Sequence, residues 1–216
     1  MANFIIKPAS SGSTILQDEG GDAAVTVAAN GNATFAGTAN NFGTISSDTT
    51  FPAGHIIQTT QVVKQDTFVM AGSTAQTETP IPGLSCDITP IKASSKILVN
   101  YKLSRSGVSK TGYVYMQRKI GTAAFAHLDG IHGTGDTALP AIGHAGGDNA
   151  WEMHENSAMY LDSPSYSLGN VLSYRIGVRS ESTDGDSNIW INKTRRDNTL
   201  YHPRAASIII LMDVAG

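Results

Sequence analysis

The sequence predicts an all-β protein: a short N-terminal β segment followed by a jelly-roll-type β-sandwich. Three observations predict it. Charged residues are only 15% of the 216-residue chain, against about a quarter in ordinary globular domains, which disfavours charged-faced helices. Apolar residues alternate or come in short runs broken by Gly, Ser, Asn and Asp, with no long 3.6-residue periodicity. The short runs recur along most of the chain without helical patterns between them, the signature of a two-sheet sandwich.

The chain divides by composition into residues 1–53 and 54–216. Before Gly54 the basic residue Lys7 stands against Asp18, Glu19, Asp22 and Asp48, whereas the remainder is balanced in charge. "ANFIIKP" places Phe4, Ile5 and Ile6 ahead of Pro8, a short apolar strand suited to adding to the edge or groove of another protein. "AVTVAANGNATFAGTANNFGTI", residues 24–45, has no charge and no proline, with Val25 and Val27 on one strand face and a turn at Asn30 to Asn32. Its large apolar residues, Val25, Val27, Phe35, Phe42 and Ile45, are too few to form a core. The expectation is that three copies wrap this segment around a shared axis, sharing scarce apolar surface and hiding strand edges.

Strand signals strengthen after Gly54. The runs are 55–63, 67–70, 84–91, 96–103, 113–120, 171–180, 188–192 and 206–214. "KILVNYKL" puts Ile97, Val99, Tyr101 and Leu103 on one face with Asn100 and Lys102 opposite, and "VLSYRIGVRS" repeats the pattern with Leu172, Tyr174, Ile176 and Val178. Both read as half-buried antiparallel strands. "ASIIILMDV" is nearly all apolar before Asp213 and reads as a central strand covered on both faces.

Residues 129–156, "DGIHGTGDTALPAIGHAGGDNAWEMHEN", break this rhythm as a long irregular interval, the expected recognition surface. His132, His144, Asp148, Trp151 and His154 are its candidate host-binding residues, Trp151 as a flat face for a sugar ring and the others as hydrogen-bond partners; Trp151 reads equally well as a plug in a trimer contact or a cover for the sandwich edge. The His spacing matches no metal-ligand motif, so neither metal nor cofactor is expected. "INKTRRDNTLYHPR", 191–204, gathers Lys193, Arg195, Arg196 and Arg204 and suits either an anionic glycan or inter-subunit ion pairs.

Other function classes find no support. The net charge of -3 is wrong for a dedicated nucleic-acid binder. Cys86 is the lone cysteine, so no intrachain disulfide forms, and it reads as a buried strand thiol. The longest apolar run, "IIILM", is far shorter than the roughly 18 residues a membrane helix needs, and "MANFIIKP" has no signal-peptide pattern. No nucleophile motif is present, and no catalytic residue is assigned.

Two sets of segments carry a family resemblance. "ANFIIKP", "ILQDEGGDAAVTV" and "ATFAGTANNFGTI" resemble the N-terminal part of fibre-type virion proteins of tailed bacteriophages, particularly those of aquatic hosts. "ITPIKASSKILVNY", "MYLDSP", "LSYRIGVRS", "INKT" and "AASIIILMDV" resemble the C-terminal sandwich of many phage fibres and appendages, a trimer-forming jelly roll similar to the C1q and tumour-necrosis-factor group. The resemblance implies a virion component assembled in the bacterial cytoplasm. Its expected partners are itself as a homotrimer, other virion proteins, and a host-surface glycan or protein. A tail fibre or spike fits first, a capsid decoration or head-fibre protein second, and a glycan depolymerase third. The long interval at 129–156 departs from the pattern, so no binding detail transfers to it.

Overall fold

The computed structural model describes residues 12–17, 23–29, 32–35, 51–72, 77–107, 112–128, 130–132, 141–144, 151–181, 187–197 and 202–216. The described residues are β throughout, with no α-helix. The chain forms two compact units, Met1–Thr49 and Thr50–Gly216.

In the first unit, β1 (Thr14–Gln17), β2 (Ala23–Val27) and β3 (Ala33–Phe35) make a three-stranded antiparallel meander. Its register sets Val25 of β2 between Leu16 and Phe35. Ile15 and Leu16 are about half exposed, at 51% and 53%, and Val27 is also exposed. Phe4, Ile5, Ile6, Phe42 and Ile45 lie outside the described residues, as does the side chain of Phe35.

In the second unit the strands are β4 (Ile56–Lys64), β5 (Phe68–Met70), β6 (Thr79–Ile88), β7 (Lys96–Gly107), β8 (Gly112–Ile120), β9 (Ala126–His127), β10 (Gly143–His144), β11 (His154–Asp162), β12 (Leu172–Ser180), β13 (Ile189–Ile191) and β14 (Ser207–Val214). Pairing runs from the ends of the unit inward: β4 with β14, β6 with β12, β7 with β11, and β8 with β10. A long antiparallel hairpin rolled in this way is a jelly roll. The first sheet is ordered β4-β14-β7-β11, with β13 and β5 continuing along the β14 side of β7, because Arg105 pairs with His154 on one edge and Ile191 on the other. The second is ordered β6-β12-β8, with β9 and β10 following one another on the free side of β8.

Alternation places Ile97, Val99, Tyr101 and Leu103 of β7 and Ile209 and Leu211 of β14 against Leu172, Tyr174, Ile176 and Val178 of β12, all buried. Cys86 is a buried free thiol, its ionisation pushed up by desolvation, with Thr60 Oγ1 at 3.5 Å. The seam between β4 and β6 is closed by side chains rather than by a ladder: Gln58 Nε2 donates to Thr89 O (2.6 Å) and Thr60 Oγ1 to Asp87 O (3.0 Å). This satisfies two edges that would otherwise present unpaired backbone.

Three polar groups lock the interior. Asp162, at the end of β11, accepts both contacts of Arg118 Nη1 and the hydroxyl of Tyr174, each at 2.6 Å, tying one sheet to the other. Asn192 is fully buried in the left-handed conformation (φ 62°); its amide donates to Lys64 O and Asp66 O, and its side-chain oxygen accepts from Ser207 Oγ. Asp213 accepts from the Ile91 backbone N–H at 2.7 Å, fixing the turn before β7.

The strands differ from expectation in several places: β7 runs on to Gly107, and β9 and β11 fall where no strand was expected. β6 starts at Thr79 rather than Leu84, running through Pro80 and Pro82; proline is tolerated there because β6 is an edge strand with an irregular register against β12. The expected irregular interval contains β10 and the first residues of β11.

Candidate functional site

Of the sequence-predicted site residues, His132, Trp151 and His154 are described with their side chains, and each has different neighbours. His132 lies by the second sheet, its ring 5.3 Å from that of His127. His144 occupies β10, paired with Tyr113, and its side chain, like the whole of Asp148, lies outside the described residues. His154 opens β11 with Nε2 at 3.7 Å from Glu152. Among the described residues, no three His, Cys, Asp or Glu side chains come together as metal ligands.

Trp151 is 50% exposed and stands directly before β11. The guanidinium of Arg196 lies over its ring at 4.5 Å, and the ring of His202 packs against it at 4.9 Å. The long interval and the basic 191–204 segment, read separately in the sequence, therefore meet here. Within the basic segment, Asp197 binds Arg204 through paired contacts at 2.8 and 2.9 Å and lies 3.8 Å from Lys193. The Arg204 hydrogen bonds hold the Asp197 carboxyl below its ordinary range. Lys193 and Arg204 also form a β-bridge, so these three residues brace the loop.

A second cluster covers the outer face of the β8 sheet. Glu78 accepts from Gln117 and meets His127 at 2.8 Å, while Arg175 donates to Gln117 and lies 3.8 Å over Phe125. Tyr115, beneath His127, is 1% exposed, and burial raises its hydroxyl well above the ordinary range. These contacts fasten the β8–β9 connection to the sheet.

The outer face of the other sheet has a different character. Register rows set Leu161, Leu98 and Met212 side by side, then Met159, Asn100 and Ile210, then Ser157, Lys102, Ile208 and Val63. Met159 is 65% exposed, Val63 45% and Leu161 44%. Between Lys96 at one end and the Lys102–Glu155 ion pair (3.1 Å) at the other, β4, β7, β11 and β14 put no charge on this face. With strands about 4.8 Å apart and same-face residues about 6.8 Å apart, the apolar positions of these rows cover roughly 230 Å², interrupted by Asn100, Ser157 and Lys102 and bordered on β4 by Thr59 and Gln61. Sequence reasoning did not single out these residues; the signal was β14, whose outward Ile208, Ile210 and Met212 are as apolar as its inward side chains.

No known protein family matches the chain, and no curated protein does. Among solved structures the chain is similar to a chain of the infectious bursal disease virus Gt strain, with 9% identity over 88% of this chain and a TM-score of 0.38. A chain of the Gx strain of the same virus gives 10% identity over 88% of this chain and a TM-score of 0.35. The present chain spans about half the length of either, 48% and 46%. At these scores the jelly-roll assignment rests on strand order and register alone.

Proposed function

We propose that this protein is a non-enzymatic structural component of a bacteriophage virion, a homotrimeric tail fibre or spike. Its N-terminal segment, with Phe4, Ile5 and Ile6, attaches it to the particle, and its jelly-roll domain reaches the host surface. The observation that carries the assembly is the set of apolar rows on the outer face of the β4-β14-β7-β11 sheet, between Lys96 and the Lys102–Glu155 ion pair. A strand as apolar as β14 is stable in water only when both of its faces are covered, and one sheet supplies cover on one side. Around a threefold axis the residues nearest the axis lie beside their own copies, where like charges would repel, so an apolar centre suits that contact. A standard interface takes about 800 Å² from each partner, so the apolar rows form its centre and polar residues around them its rim. The resemblance to phage fibre proteins supports the virion placement.

The test is light scattering of the full chain with the double substitution Met159→Asp and Ile210→Asp. A trimer that becomes a folded monomer supports the reading; a wild-type monomer at micromolar concentration overturns it. Free protein should also compete with particles for adsorption. Particles whose adsorption is unaffected would point instead to a capsid decoration.

A further inference from the structure

We infer that the junction of Trp151 and Arg196 is a binding site for an oxyanion-bearing sugar, a uronate or a phosphosugar. This rests on the reading that the jelly-roll domain contacts a host surface, and names what it takes there.

The chemistry comes from how charge is distributed along the basic loop. Asp197 pairs with Arg204 and stands near Lys193, so these two are engaged in bracing the loop. Arg196 is exposed, and no described residue accepts a hydrogen bond from it; its contact is with the face of the Trp151 indole. An aromatic ring under a guanidinium attracts the cation through the ring quadrupole but accepts none of its five N–H donors. Those donors form a fork that matches carboxylate or phosphate oxygens in pairs. A guanidinium held over an indole is also less free to rotate, so less entropy is lost when an anion docks.

Trp151 supplies the second half of the recognition. Half of its surface is open and its position is backed by the nearly buried His202, so the part of the indole left open beside Arg196 can pack against the C–H side of a pyranose. Neither element suffices alone. A neutral sugar would leave the Arg196 donors to water, and a small inorganic anion would leave the indole uncovered. One such site binds weakly, whereas identical sites on one assembly raise the effective affinity by local concentration.

The experiment uses the full chain, immobilised, against a polyuronate, a phosphorylated polysaccharide and neutral dextran. Retention of either anionic polymer, tenfold or more weakened by Arg196→Gln and by Trp151→Ala, with dextran ignored and Lys119→Gln without effect, supports the site; which polymer binds names the oxyanion. Trp151→Phe keeps an aromatic support should the alanine variant unfold, and should retain most of the binding. Equal loss in Lys119→Gln and Arg196→Gln would reduce the effect to overall charge and overturn the assignment. Adsorption competition run in parallel separates the two readings. Protein that blocks adsorption yet retains neither anionic polymer overturns the sugar class and leaves the host-contact role standing; protein that does neither overturns both.

Discussion

Tyr174 donates its hydroxyl to Asp162 across the gap between the two sheets, at 2.6 Å, beside the ion pair of Asp162 with Arg118. Asp162 is 4% exposed, so its carboxylate depends on these two partners for the solvation it has lost. Asp162→Ala should cost about 3–5 kcal/mol, since it leaves Arg118 without its counter-ion inside the sandwich. Tyr174→Phe removes one hydrogen bond to a charged group and should cost about 1.5–3 kcal/mol. Urea denaturation orders the two; a tyrosine variant less stable than the alanine variant would contradict this account.

Asn192 offers a test of backbone strain. Its φ of 62° is rare for a residue with a side chain, and its amide satisfies two carbonyls of the β4–β5 turn. Asn192→Ala loses those bonds and keeps the strain, whereas Asn192→Gly loses the bonds alone. The glycine variant should be the more stable of the two by about 1 kcal/mol, read from thermal melting.

Burial of Tyr101 makes the fold sensitive to alkali. Its hydroxyl is pushed up to about 12 by desolvation. Folded pKa above unfolded means a contribution fully present below pH ~10 and lost as pH rises to ~12, worth about 3 kcal/mol by linkage. Desolvation also lowers Arg105, but its guanidinium, hydrogen-bonded to Asn156, keeps its proton across this window and does not offset the loss. Tyr101→Phe should therefore flatten the alkaline loss of stability. If both proteins lose stability in parallel between pH 10 and 12, the assignment to Tyr101 fails.

Gly177 faces Tyr115 across the β12–β8 ladder, and a methyl group there would occupy the space of the phenol ring. Gly177→Ala should destabilise the domain by about 1–3 kcal/mol, an overpacking cost. The double variant with Tyr115→Ala should recover part of the loss, measurable as a non-additive double-mutant cycle.

The fold class was legible because apolar alternation is dense in β7, β12 and β14, where a period of two leaves little choice. β11 was hidden because its inward positions include His154, Asn156 and Asp162, polar residues answered by Arg105 and Arg118, so the alternation does not read as apolar against polar. The Trp151–Arg196 junction was legible only in halves. Each residue stood out within its own segment, but their adjacency is set by which loops the strand order brings together. The apolar sheet face was legible only in part: β14 reads as apolar on both faces, but Met159 and Leu161 join it from β11, the strand that the alternation hides.

The apolar rows of the β14 sheet face, between Lys96 and the Lys102–Glu155 pair, give dissolved ions nothing to screen. Contacts made through them gain strength as salt is added, because excluded salts raise the free energy of wet apolar surface, whereas contacts built on ion pairs fade within the shortening Debye length. Their weakness is cold, since the driving force is largely entropic near room temperature and declines on cooling. The outer surface of β14 thus prescribes the medium in which such a contact lasts: indifferent to brine, loosened by chill.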